Sequence, residues 1–157
     1  MTDTTTTDTP RSSSARSSVP HAQLATDVRQ GVLRLSRRLR QQKADTHVSD
    51  AQSAALGFLV SNEPLTIGEL SEHEGVTPPS MNRTVNALVA LGYVERGTDS
   101  TDRRKVVLRA TQEGASYILE TRRRRDEWLA PRLQKLSADE RKTLAEATRI
   151  LRELGRS

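Results

Sequence analysis

Residues 99–111, DSTDRRKVVLRAT, constrain the fold of this chain more than any other stretch. The segment is charged and turn-forming up to Lys105. It then alternates from Val106 to Ala110 and ends at Thr111, a residue type that opens helices. Upstream, Tyr93, Val94, Glu95 and Arg96 supply a partner strand. The spacing therefore predicts an antiparallel hairpin, Tyr93–Thr98 with Lys105–Ala110, whose loop carries Arg103 and Arg104. Gly92 ends a helical stretch just before it that holds Ser80, Asn82 and Arg83. Helix, strand, arginine-bearing loop, strand is the layout of a winged helix.

Composition narrows the setting of that hairpin. The 157 residues suit one domain, or one domain with a tail, and aromatics at 3% leave a core of Leu, Val, Ile and Ala. Packed helices use such a core better than a β-sandwich does. With no Cys, disulfides, thiolate zinc sites and thiol redox sensing are excluded. His21, His47 and His73 are scattered and form no metal-ligand spacing, so neither a metal nor a cofactor is expected. A formal charge of +5 favours a polyanionic partner only weakly. Its distribution says more. Between Val76 and Ala110, Arg83, Arg96, Arg103, Arg104, Lys105 and Arg109 outnumber Glu95, Asp99 and Asp102, whereas residues 62–75 carry Glu63, Glu69, Glu72 and Glu74 and no Lys or Arg. Concentration of cations on particular elements is what a DNA-reading surface requires. No apolar run approaches the roughly 20 residues of a membrane span, and the N-terminus lacks the apolar centre of a signal peptide, so a cytoplasmic protein is expected.

Along the chain, residues 1–19 are polar and of low complexity, which predicts a disordered tail. From Pro20, Leu24, Val28, Val32, Leu35 and Leu39 recur at helical spacing. Ser49 is placed to cap a second helix, with Ala51, Ala54, Ala55, Phe58 and Leu59 directed inward. Thr66 with Glu69 makes a capping box for a third helix, and Gly75 closes it. Thr77 caps a fourth helix with Pro78 in its first turn. Thr111 opens a long fifth helix, and Ser137 with Glu140 opens a sixth, whose stripe is Leu144, Ala147, Leu151 and Leu154. The fold class expected is mainly α with a small β-hairpin wing. A winged helix-turn-helix lobe over 48–110 is flanked by N- and C-terminal dimerisation helices over 20–47 and 111–157. The terminal helices are long and amphipathic, more than a lobe of about 60 residues needs, and a symmetric dimer is the commonest assembly that would cover them.

The third and fourth helices then form a helix-turn-helix, whose second helix normally enters the major groove. At 100° per residue Met81, Val85 and Leu88 share the core side. Pro79, Arg83 and Asn86 fall opposite, with Ser80 and Asn82 on the flanks. Arg83 suits guanine, and Asn82 or Asn86 suits adenine. Thr77 and Ser80 suit phosphates near free backbone N–H groups, and Thr66, at the start of the third helix, is a further candidate phosphate contact. On the wing, Arg103 and Arg104 can enter a minor groove, with Asp102 pairing a nearby arginine to fix its direction. The run Arg122 to Arg125 reads as a solvated face paired with Asp126 and Glu127, and Trp128 reads as core.

From about His21 to Leu154 the chain resembles the MarR family of bacterial winged-helix transcription regulators. The resemblance rests on Val48, Ser49 and Gln52, on Leu65, Thr66, Ile67, Glu69 and Leu70, and on Gly75, Val76 and Thr77. It continues through residues 91–96 (LGYVER), Asp102, Arg103 and Arg104, and then Leu108, Arg109, Ala110 and Thr111 with Glu113 and Gly114. Ala110 stands where Leu is usual before that threonine. The resemblance implies a homodimer with interlocking first, fifth and sixth helices, binding a pseudo-palindromic site in double-stranded DNA. It also implies that Asp102 orients the wing, that Arg104 enters the minor groove, and that no catalysis occurs. Many members are repressors released by a small-molecule effector, often anionic and aromatic. The alternative is a winged helix used as a protein-interaction module without specific DNA binding.

Overall fold

The computed structural model describes residues 20–155, and the expected tail at 1–19 lies outside them. Its elements are α1 (His21–Arg40), α2 (Asp50–Asn62), α3 (Ile67–Glu74), α4 (Pro78–Ala90), β1 (Val94–Thr98), β2 (Val106–Ala110), α5 (Gln112–Gln134) and α6 (Ala138–Leu154). Two compact units divide within α1, one ending at Leu35 and one beginning at Ser36. In the first, Leu24, Val28, Val32, Leu33 and Leu35 are all exposed, so the expected apolar stripe is present on the surface of the helix. No helix among the described residues is long and apolar enough to cross a membrane.

The second unit holds the core. Val48, Leu56, Leu59, Leu70, Val85, Leu88 and Leu108 are essentially without solvent contact. Four helix starts use the predicted chemistry, whereas Thr77 makes no side-chain capping bond to α4. Ser49, Thr66 and Ser137 form reciprocal capping boxes with Gln52, Glu69 and Glu140, and Thr111 accepts from the Gly114 N–H. The inward face of α2 differs from expectation. Ser53, Ala55, Leu56 and Leu59 are buried, while Ala51 and Ala54 are exposed. Apolar residues surround this helix, and it packs against α3, α4, α5 and β2, so spacing alone does not choose its inner side.

β1 and β2 pair antiparallel with Val94 opposite Ala110, Arg96 opposite Leu108 and Thr98 opposite Val106. A third, single-residue rung was not legible. Leu65 bridges Leu108, with N···O distances of 3.2 and 2.7 Å. The Glu63 carboxylate also accepts from the Ala110 N–H at 2.6 Å. The outer edge of the hairpin is thus tied to the α2–α3 connection, which protects it from pairing elsewhere.

Nor does the core stop at Ala110. Tyr117 and Ile118 of α5 belong to the lobe's hydrophobic cluster, and buried Thr121 accepts from the Ala44 N–H at 3.1 Å. The first half of α5 is lobe structure, because the fifth helix must cover the side of α2 that α4 leaves open. In α6, by contrast, no residue is buried, and Leu144, Ile150, Leu151 and Leu154 are exposed.

Candidate nucleic-acid interface

Gly75 makes the turn between α3 and α4 at φ 63°, a left-handed conformation that suits glycine, and the Val76 N–H returns to the Ser71 carbonyl at 3.1 Å. The turn directs α4 so that Met81, Val85 and Leu88 are buried, as the periodicity predicts. Thr77, Pro79, Ser80, Arg83 and Asn86 are exposed, and Asn82 is half-buried. The start of α4 is poorer in donors than expected. Pro78 and Pro79 occupy its first two positions and remove two of the four N–H groups a helix normally offers there. The Thr77 hydroxyl makes no capping bond.

Thr66 is committed to the start of α3. Its hydroxyl accepts from the Glu69 N–H at 3.2 Å and donates to the Glu69 carboxylate at 2.8 Å. A carboxylate that close disfavours a phosphate, so the geometry gives Thr66 to the α3 cap rather than to the interface.

Arg96 on β1, by contrast, enters the site without having been assigned a role from sequence. Its Nη2 donates to Asn86 Oδ1 at 2.8 Å and to Asn82 Oδ1 at 3.3 Å. The two asparagines are one helical turn apart on α4, so one guanidinium reaches both. The available signal was that i, i+4 asparagine pair followed by a lone arginine in the next strand. Both amide oxygens expected to be free for adenine already accept from a charged donor, with one lone pair left on each.

In the wing, residues 99–105, two aspartates shape the backbone. Asp99 Oδ1 accepts from the Thr101 hydroxyl at 2.5 Å, the Thr101 N–H at 2.7 Å and the Asp102 N–H at 2.9 Å. Asp102 Oδ1 accepts from the Arg104 N–H at 3.0 Å. Among the described residues Asp102 pairs with no arginine side chain, so the expected brace acts on the backbone of Arg104, whose N–H lies nearer than any guanidinium. The side chains of Arg83, Arg103 and Arg104 are exposed and hold no ion pair among the described residues.

The hydrogen bonds from the Thr101 hydroxyl, then from the Asp102 and Thr101 N–H groups, hold the Asp99 carboxyl at about 2, below its ordinary 3.8. A depressed carboxylate contributes order that is present above the unfolded value and lost as pH falls through the folded one. The wing is therefore expected to keep its shape at neutral and mildly acid pH and to loosen between 3.8 and about 2. Amide chemical shifts of Thr101 and Asp102 followed down the titration check this; a midpoint near 3.8 would show that these bonds do not form.

The arginine run on α5 is wholly engaged. Arg123 pairs with Glu120 and Glu127, Arg124 with Glu120, Arg122 donates to Ser61 Oγ, and Arg125 donates to the Leu39 carbonyl. Glu120 replaces the expected Asp126, since it lies three and four residues before the two arginines it serves. Trp128 is half-buried with the Arg132 guanidinium 3.7 Å above its ring, which occupies a face expected to sit in the core. A surface hollow of about 370 Å³ is lined by Gln41, Gln42, Lys43, Arg124, Glu127 and Trp128.

Comparison with known proteins agrees with this geometry. Residues 48–105 match the pattern of the MarR family. An HTH-type transcriptional regulator of Mycobacterium leprae is 38% identical over 133 residues, covering 85% of this chain and 93% of that one. Among solved structures, a MarR family protein from Bacillus stearothermophilus has a TM-score of 0.77 at 25% identity, over 87% of this chain and 95% of that one. A MepR variant of S. aureus bound to an oligodeoxyribonucleotide has the same fold, with a TM-score of 0.61 at 19% identity, over 83% of this chain and 97% of that one.

Proposed function

The chain belongs to the MarR family of DNA-binding transcription regulators, which are not enzymes, and from that membership we propose that it acts as a cytoplasmic homodimeric repressor of specific genes. The observation that carries DNA reading by this chain is the presence on one lobe of two surfaces whose arginines hold no ion pair among the described residues. One is the outer face of α4 with Arg83, and the other is the wing with Arg103 and Arg104 on a loop fixed by Asp99 and Asp102. In this reading Pro79, Ser80, Asn82, Arg83 and Asn86 face a major groove. Thr77 with the Ser80 N–H meets phosphate, and Arg104 enters the adjoining minor groove. The MepR variant of the same fold, bound to an oligodeoxyribonucleotide, supports DNA as the partner.

The uncovered apolar faces of α1 and α6 support the dimer, since solvated leucines at this density mark an association surface. Two lobes related by a two-fold axis would read a pseudo-palindromic site with half-sites about one helical turn apart. Release by a small anionic aromatic ligand fits the hollow beside Trp128, where Lys43 and Arg124 bring cations next to an aromatic ring.

Arg104→Ala tests the wing. The substitution is expected to lower operator affinity and to reduce the slope of log affinity against log salt by about one, the signature of one lost phosphate-side cation. Equal affinities for the variant and the unchanged protein across a salt titration would overturn the assignment and favour a protein-interaction role for the lobe.

A further inference from the structure

A guanidinium has five N–H donors and no acceptor. The amide atoms of Asn82 and Asn86 that face Arg96 must therefore be the oxygens, and both Nδ2 groups are turned away from it. A free asparagine reads adenine with both ends of its amide, accepting from N6 while donating to N7. Here the accepting end of each amide is already occupied by a charge-assisted bond, 2.8 Å long at Asn86. Each oxygen keeps one lone pair, but the clamp turns both Nδ2 groups away from Arg96 and leaves them as the unpaired ends of the two amides.

We propose that Arg96 is a specificity-determining positioning residue: by holding the oxygens of Asn82 and Asn86, it makes this face of α4 favour keto-bearing base edges over amino-bearing ones. Guanine O6 and thymine O4 accept from an NH2 group in the major groove, whereas adenine N6 and cytosine N4 present hydrogens to it. Two donors placed face to face lose their hydration without gaining a bond, so cytosine is disfavoured at the position read, and adenine offers only N7 where guanine offers N7 and O6. Arg96 acts through the asparagines and need not touch a base. This inference rests on the reading of α4 as the groove-facing helix, and it specifies what that helix prefers.

The test uses the purified full chain and duplex libraries randomised through one half-site. Asn82→Ala and Asn86→Ala first locate the base positions these residues read. At those positions the unchanged protein is expected to favour guanine or thymine over adenine by about tenfold. Arg96→Met frees both amides to rotate, so adenine should recover to within a few-fold of guanine there, with preferences elsewhere in the half-site unaltered. Arg96→Lys, which retains donors only, should keep part of the keto preference. Selection of adenine by the unchanged protein at the mapped positions would overturn the proposal. So would a uniform loss in Arg96→Met with a salt slope lower by one, which would make Arg96 a phosphate contact. Absence of any base preference at any position would instead overturn sequence-specific reading as a whole, and this inference with it. Should Arg96→Met fail to fold, the guanine or thymine preference of the unchanged protein at the asparagine-mapped positions still decides the matter.

Discussion

Replacing Gly114 by alanine is expected to destabilise the lobe by about 3 kcal/mol or more and to abolish operator binding at moderate salt. A Cβ at this position would lie 2.2 Å from the Tyr93 carbonyl oxygen and 3.0 Å from its carbon. The obstacle is backbone, so no rotamer change relieves it. Moving the Tyr93 carbonyl breaks the bond it accepts from the Thr111 N–H at 3.1 Å. It also disturbs the Thr111 hydroxyl, which donates to the Gly92 carbonyl at 2.7 Å while capping α5. Those bonds join the end of α4, the start of β1 and the start of α5 at one point, so the damage reaches both surfaces proposed to face DNA. Thermal melting and operator titration of Gly114→Ala check this; a variant that melts and binds as the unchanged protein does would mean the junction yields freely.

Leu108→Ala is expected to cost about 2–5 kcal/mol, the range for emptying a buried leucine site. Domain stabilities are only about 5–15 kcal/mol, so much of the folded population is at stake. Leu108 is fully buried at the centre of β2, opposite Arg96, and bridges Leu65 on its other side. The helices that frame it cannot close the gap without pulling the hairpin off its edge. Two residues earlier Val106 is 51% exposed, and Val106→Ala should cost under about 1 kcal/mol, mostly strand propensity. Urea denaturation of the two variants separates these cases, and similar midpoints would place Leu108 outside the core.

Most helix starts were legible in sequence because one residue's chemistry decides the local conformation, Thr77 excepted. Ser49, Thr66, Thr111 and Ser137 cap because their oxygens meet a backbone N–H three residues on, a distance the helix itself fixes. The core side of α4 was legible because only one of its faces is apolar. The inner face of α2 was not, since the helix is enclosed from several directions. The Arg96 clamp and the Leu65 rung were hidden for another reason. Each joins residues on different elements, and only the register of the hairpin decides that they meet. In the same way, Asp102 was rightly linked to Arg104, but the bond falls on the main chain.

The bonding pattern on α4 also divides the ways in which a duplicated copy of this gene could come to recognise a new operator. The side chains of Pro79, Ser80 and Arg83 bond to no other described residue. Each can change singly without leaving a partner in the fold unsatisfied. Asn82 and Asn86 are held by a residue on another element. A change at either leaves Arg96 with a donor to place, so a workable alternative calls for substitution at two or three sites together. Divergence among descendants should therefore begin at base positions read by the start of the helix. Base positions read by the asparagine pair should stay fixed for longer and then shift abruptly.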